Sequence, residues 1–160
     1  MLYAATELGD FSLIWHLIGV AKGLRSDRDA ADAMRIAAIL GTESLLVNGV
    51  IKSFFRRTRP AWEQERSYTI RKPRSSSFPS GHASSAFVAA AVLSQSTPKL
   101  RPLWYATAAV VATSRAHVRI HHASDVVGGV VTGIVLGRIA RRAWPAPLDG
   151  NPLSGRRRAR

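Results

Sequence analysis

The run DVVGGVVTGIVLGRI, Asp125 to Ile139, decides the fold class of this chain. It is longer than an ordinary strand and apolar nearly all round, which points to a buried or lipid-facing helix despite its valines. Gly129-x-x-x-Gly133 and Gly133-x-x-x-Gly137 repeat the spacing at which helices pack closely in membranes. Working outward, Leu103 to Val118 has the same character, and the block after Pro79 is built of small residues (Ala83, Ala86, Phe87, Val88, Ala89, Ala90, Ala91, Val92, Leu93). Two further apolar blocks precede these, Asp10 to Lys22 and about Ala31 to Phe55. Alanine dominance and block length favour helix throughout. A membrane span needs about 20 apolar residues, and the last three blocks approach that length with about 14 to 18 each. The expectation is an all-α compact bundle of about five main helices, transmembrane, with a basic loop between the second and third. Asp29 or Asp32 is expected to cap the second helix, Ser80 the third, and Ser124 or Asp125 the fifth, with Pro98 and Pro102 bracketing a tight turn. The chain reads as one domain over 1–145. A basic, disordered tail is expected over 146–160, where Pro147, Gly150, Pro152 and Gly155 oppose regular structure. Acidic Glu7 and Asp10 before the first apolar block speak against a signal peptide.

Composition narrows the function classes. The 160 residues carry a formal net charge of +13, with 19 arginines among 23 basic residues. Such charge calls for an anionic partner: nucleic acid, a membrane surface or a phosphorylated substrate. Arginine is the better fork for oxyanions. The absence of cysteine removes disulfide frameworks, thiolate metal sites and cysteine nucleophiles. With 46% hydrophobic residues the chain is not a disordered basic tail.

Between the second and third blocks runs a polar stretch, Arg56 to Pro79, holding Arg56, Arg57, Arg59, Arg66, Arg71, Lys72 and Arg74 against Glu63 and Glu65. A loop this long in a compact domain is usually functional or disordered. Three short motifs flank it. Lys52 with Arg59-Pro60 closes the second block, Pro79-Ser80-Gly81-His82 opens the third, and Ser114-Arg115, His121 and Asp125 span the gap between the fourth and fifth. In an up-and-down bundle all three meet on one face. Lys52, Arg59 and Arg115 offer three cations for charge-assisted bonds to phosphate. Ser80 and Gly81 lie at a helix N-terminus, where free N–H groups and the dipole favour an anion. His82 and His121 can divide nucleophilic attack and leaving-group protonation. Asp125, four residues after His121, can fix its tautomer. No carboxylate or thiolate cluster suggests a metal site, so charge stabilisation falls to lysine and arginine, and no cofactor is expected.

The three segments, Lys52-SFFRRT-Arg59-Pro60, Pro79-Ser80-Gly81-His82 and Ser114-Arg115-AHVRI-His121-HAS-Asp125, resemble the tripartite signature of the type-2 phosphatidic acid phosphatase superfamily at every position. The resemblance implies a phosphate clamp of Lys52, Arg59 and Arg115, with Ser80 and Gly81 adding hydrogen bonds. His121 is similar to the family's nucleophile, which forms a phosphohistidine, Asp125 to its orienting carboxylate, and His82 to its general acid. It further implies metal-free catalysis in an α-bundle, with the site near the membrane interface and a lipid phosphate or diphosphate as substrate.

Other residues carry plainer readings. His122 competes with His121, but spacing from Arg115 and Asp125 selects His121. His16 and His117 suit packing or interface roles. Arg56 and Arg57 could grip a second phosphate or simply face headgroups or solvent. Glu43 is the one carboxylate at apparent membrane depth, and Asn48, four residues before Lys52, could position that lysine or serve a helix contact. Sorting basic residues by face leaves 10 on the motif side and 13 on the other, which favours a cytoplasmic tail and an outward-facing site. The apolar blocks and the arginine- and alanine-rich composition lead to the expectation of a multi-pass cell-membrane protein, bacterial. The substrates expected are a polyprenyl (di)phosphate, phosphatidate or phosphatidylglycerol phosphate. The alternatives are a soluble acid phosphatase or vanadate-dependent haloperoxidase relative and, third, a basic adaptor. No nucleic-acid partner is expected, because the basic loop lacks interleaved aromatics beyond Trp62 and Tyr68.

Overall fold

The computed structural model describes residues 12–60 and 75–147. Among them the secondary structure is helical, with five principal helices: α1 (Leu13–Gly23), α2 (Asp27–Ser44), α3 (Gly81–Ser96), α4 (Arg101–His117) and α5 (Ala123–Ala143). The chain of α2 runs on through a π-helical turn, Leu45–Val50, and a 3-10 turn, Ile51–Phe54. Of the basic loop, Glu63, Glu65, Arg66, Arg71, Lys72 and Arg74, with Trp62 and Tyr68, lie outside the described residues, as do Glu7, Asp10 and the tail from 148 onward.

Local chemistry sets the helix starts. Ser80 caps α3 as expected, its Oγ accepting from the Ala83 N–H at 3.4 Å. The other two caps differ from expectation. Ser26, not Asp29 or Asp32, accepts from the Asp29 N–H at the head of α2, so the helix begins a turn early. His122 is the N-cap of α5, and Asp125 sits at the third helical position, its carboxylate accepting the His122 N–H at 2.9 Å. An acidic group there faces the positive end of the helix and closes a capping box. Between α3 and α4, Pro98–Leu100 forms a short 3-10 turn, and Pro102 falls inside the first turn of α4, where no N–H is required.

The enclosed helix is α3. Ala83, Ala86, Val88, Ala89, Ala90, Val92 and Leu93 are all fully buried, with α2, α4 and α5 packed around it and α1 laid against α2. Small side chains let those neighbours approach closely. The nearest approach is by α5, where a Cβ at Gly129 would meet the Ser80 carbonyl and one at Gly133 would lie 2.9 Å from Phe87 Cβ. The glycine spacing is therefore a packing seam. Opposite that seam, Val127, Val131, Val135 and Ile139 are each about half exposed or more. Thus α5 is apolar on both faces, as expected, with glycine inward and valine outward, and the helix buried on all sides is α3. Leu13, Leu17 and Val20 on α1, Leu45, Val50 and Phe54 at the end of α2, and Leu103 and Val110 on α4 extend the exposed apolar surface. Water would penalise such a belt; hydrocarbon does not. Among the described residues two helices are long and apolar enough to cross a membrane, Asp27–Phe54 (28 residues) and Ala123–Ala143 (21 residues). At 1.5 Å per residue, 21 residues reach about 31 Å, close to a bilayer's hydrocarbon thickness of about 30 Å.

A polar network ties the far end of the bundle. Asp32 is bound by Lys22 and, at 2.7 Å, by Arg35 Nε. Arg35 also donates to the Trp144 carbonyl (2.9 Å) and the Val92 carbonyl (3.3 Å), joining α2, α3 and the end of α5. The first residues of the expected tail are held here. The Ala146 N–H donates to Gln95 Oε1 at 3.1 Å, and Arg28 Nε donates to the Pro147 carbonyl at 2.7 Å.

Candidate active site

The opposite end gathers the ends of α2 and α4 and the starts of α3 and α5. A backbone bond from the Ser80 N–H to the Asp125 carbonyl (2.9 Å) joins the two helix starts. The Ile120 and His121 N–H groups both donate to the Arg115 carbonyl (3.2 and 3.3 Å), folding the α4–α5 connection back over the end of α4. The Ser77 N–H donates to the Arg57 carbonyl (3.0 Å), which ties the segment between Lys52 and Arg59 to the approach to α3, so main-chain bonds link all three motif segments.

Within this cup, Lys52, Arg115, His121, Asp125 and Ser80 are all buried. Lys52 lies within electrostatic reach of Arg59, Arg115, Asp125 and Glu43, so the three cations of the sequence reading converge. Arg59 comes from the extended segment after Phe54. Its Nη1 donates to the Ile120 carbonyl (3.1 Å), and its Nη2 reaches the Ser75 and Ser76 carbonyls (3.3 Å each). Burial pushes the Arg59 guanidinium below its ordinary value, with Asp125 opposing, yet arginine remains a cation.

His121 sits between the cations and the carboxylate. Its Nε2 is 3.3 Å from Arg59 Nη1. Arginine can only donate, so Nε2 must present a lone pair and the ring proton belongs on Nδ1. Nδ1 faces Asp125 Oδ2 at 3.7 Å, beyond hydrogen-bond length, and makes no hydrogen bond. Burial pushes the His121 pKa down to about 2, and Arg59, Lys52, Arg115 and His82 push in the same direction. The imidazole is therefore neutral at ordinary pH, the state a nucleophile requires. His82, on the first turn of α3 and half-buried, is near enough to act on His121 electrostatically. His122 points elsewhere, its Nε2 3.3 Å from the Thr58 carbonyl.

The phosphate-facing N–H groups differ from expectation in one respect. The Ser80 N–H is committed to Asp125, which leaves its hydroxyl and the next N–H groups of α3 to meet an anion. Gly81 is tightly placed: a Cβ there would lie 2.8 Å from Asn48 Oδ1. Asn48 thus packs against the start of α3 and bonds Ser44 Oγ (3.1 Å), so the contact that places it is with α3. Beneath Lys52, Glu43 is 4% exposed. Its surroundings include Ser84. His16 bonds the Ser12 carbonyl (2.9 Å), and His117, in the last turn of α4, is exposed. Among the described residues no group of three or more His, Asp or Glu is placed to hold a metal ion.

Arg57 is the residue whose placement the sequence reading left open. Its Nη1 donates to Asp125 Oδ1 (2.7 Å) and Ser124 Oγ (2.8 Å). A partial signal existed: residues two apart in an extended segment share a side, which pairs Arg57 with Arg59 but does not say which group either one reaches. The serine run is likewise structural. Ser76 Oγ accepts the Arg57 and Phe78 N–H groups (3.3 Å each), and Ser77 Oγ donates to the Thr58 carbonyl (3.0 Å).

Residues 32–147 match the PAP2 superfamily. The chain is 30% identical over 143 residues to phosphatidylglycerophosphatase B of Bacillus subtilis (strain 168), covering 82% of this chain and 68% of that protein. Among solved structures it is similar to the first transmembrane PAP2 type phosphatidylglycerolphosphate phosphatase from Bacillus subtilis, with a TM-score of 0.68 and 26% identity, covering 94% of this chain and 78% of that one.

Proposed function

The chain belongs to the PAP2 superfamily, and from that premise we propose the reaction course, substrate class and setting of a lipid phosphate phosphatase. That it is a phosphoric ester hydrolase follows from the family and its phosphatase relatives. The phosphate of the substrate enters the cup and is held by Lys52, Arg59 and Arg115, with the Ser80 hydroxyl and the Gly81 N–H at the positive end of α3. His121 Nε2 attacks phosphorus with its lone pair. The bond from phosphorus to the lipid oxygen breaks, and that oxygen leaves with the electron pair and takes a proton from protonated His82. Asp125 steadies the cationic phosphohistidine through Nδ1–H. In the second half, water attacks phosphorus and gives its proton to neutral His82. The phosphorus–nitrogen bond breaks, its pair returns to Nε2, and inorganic phosphate departs. The observation that carries this reading is the orientation of His121, lone pair toward the cations and Nδ1 toward the carboxylate. Charge stabilisation comes from lysine and arginine, with no metal required.

The substrate proposed first is phosphatidylglycerol phosphate, on which both Bacillus relatives are named as acting. Polyprenyl (di)phosphate and phosphatidate share the same headgroup chemistry. The belt of exposed apolar side chains supports this over a soluble acid phosphatase or haloperoxidase. The setting proposed is a multi-pass protein of a bacterial cell membrane with the cup outward. The far end carries Lys22, Arg25, Arg28, Arg35, Lys99, Arg101, Arg138, Arg141 and Arg142, as cytoplasmic ends do.

The test is phosphate release by detergent-solubilised protein with chelator present, across those lipids and a water-soluble aryl phosphate, with and without vanadate. Release from one lipid, blocked by vanadate and indifferent to chelator, is expected. Preference for the aryl phosphate would favour the soluble type, and loss in chelator restored by magnesium would contradict the metal-free course.

A further inference from the structure

We propose that Arg57 is a positioning residue for the reaction: it acts through Asp125, holding that carboxylate in register with His121 and offsetting its charge. The inference rests on the phosphohistidine reading of His121 and adds a residue outside the three motifs' fixed positions.

The geometry is specific. Asp125 is fully buried, and both of its oxygens are engaged. Oδ1 accepts from Arg57 Nη1 at 2.7 Å, and Oδ2 accepts the His122 N–H at 2.9 Å. With one donor on each oxygen, rotation of the carboxylate is restricted. The remaining capacity of Oδ2 is directed at His121 Nδ1, 3.7 Å away. Arg57 itself is held at both ends. Its N–H donates to Ser76 Oγ (3.3 Å), its carbonyl accepts the Ser77 N–H (3.0 Å), and its guanidinium also reaches Ser124 Oγ (2.8 Å). One residue therefore links the segment after α2, the serine run before α3 and the head of α5. A carboxylate held this way keeps Oδ2 facing the histidine.

The charge effect follows from the same placement. His121 is faced by Arg59, Lys52, Arg115, His82 and Asp125. Asp125 favours the imidazolium form, and the Arg57 guanidinium dilutes that influence. Without Arg57 the carboxylate would be looser, so His121 would be held less well for attack, and electrostatically stronger, so the acid limit of the imidazole would rise from its depressed position. An arginine that gripped substrate instead would aim into the cup; this one is 41% exposed and turned onto the helix start.

The experiment measures kcat, KM and the pH dependence of kcat on phosphatidylglycerol phosphate in detergent micelles, for wild type, Arg57→Gln, Arg57→Lys, Asp125→Asn and the double variant Arg57→Gln/Asp125→Asn. Arg119→Asn is the control, an exposed arginine at the same end whose left-handed backbone asparagine tolerates. Arg57→Gln should lower kcat by about 10- to 100-fold, the scale of a slightly misplaced group, with KM within about twofold. Its acid limb should move to higher pH, and Arg57→Lys should recover part of both effects. The double variant should be no slower than Asp125→Asn, because residues acting as a unit are not additive. A rise in KM at unchanged kcat would overturn the inference in favour of a substrate contact. A fall in kcat with an unmoved pH profile, additive with Asp125→Asn, would reduce Arg57 to a structural tie and overturn it too. Should Arg57→Gln fail to fold, Arg57→Lys carries the same two readings. Wild type that releases phosphate from no lipid removes the reading beneath the inference; active wild type with unaffected Arg57 variants removes the inference alone.

Discussion

The two ends of the bundle use the same residue types to opposite effect. At the far end, Lys22 and Arg35 close on Asp32, Asp29 adds a second carboxylate 3.4 Å from Lys22, and the surplus donors of Arg35 find backbone carbonyls. At the cup, Lys52, Arg57, Arg59 and Arg115 gather around Asp125, with Glu43 beneath. The first arrangement is balanced and inward-looking, and it pins three helices and the start of the tail. The second carries an excess of positive charge next to a neutral imidazole. Buried arginine by itself therefore says little about function. What distinguishes a site from a strut is whether the charges are already answered by the protein.

Substitutions can break this contrast. The largest effect belongs to the cup: His121→Ala should abolish phosphate release while His122→Ala keeps most of it. Steady-state turnover of the two purified variants decides, and the reverse pattern would exchange their roles. Next, Asp32→Asn leaves the buried Arg35 without its charge partner and Lys22 with Asp29 alone, and should cost about 3 kcal/mol of stability, while kcat per folded molecule stays the same. Thermal unfolding in detergent alongside turnover reads both; lost turnover at unchanged stability would mean the ends are not separate in function. A smaller effect of opposite sign is expected for Lys52→Met, which takes one cation out of a crowded, buried group. The ligand-free protein should gain about 1 kcal/mol as activity disappears. Destabilisation instead would show the cup to be balanced after all.

The smallest effect is on pH dependence. The folded protein keeps His121 neutral down to about 2, whereas an unperturbed histidine takes a proton near 6.5. Below 6.5 the unfolded chain binds a proton that the folded chain refuses, so this contribution is complete above 6.5 and is lost as pH falls. The unfolding temperature of wild type should therefore drop more steeply from pH 7 to pH 4.5 than that of His121→Ala. Parallel slopes would mean that the imidazole is not held neutral by the fold.

Much of this was readable from residue order. The glycine spacing after Asp125, the small-residue block after Ser80 and the chain positions of the three motifs were enough to predict a five-helix bundle. The same positions predicted one end where Lys52, Arg59, Ser80, Gly81, His82, Arg115, His121 and Asp125 lie together. Two kinds of feature escaped. The glycine spacing marked the close-packing face of α5, but not the helix it packs against; that α3 is the partner is a property of the assembled bundle. The caps at Ser26 and His122, and the bond of Arg57 to Asp125, are choices among neighbouring polar candidates of similar chemistry, and pattern alone does not resolve those.

The π-helical turn at Leu45–Val50 has a consequence for insertions and deletions. A π turn holds one residue more than an α turn, and each residue of α-helix rotates the chain by about 100°. Deleting one residue between 45 and 50 would let the rod close into regular helix while Lys52 keeps nearly its present bearing, because the π turn spends its extra residue without adding rotation. The same deletion in the regular part of α2 would turn Lys52 by about 100° against the residues before it. Length and hydropathy hardly change in either chain, so comparing the two separates the direction of the lysine from the presence of the span.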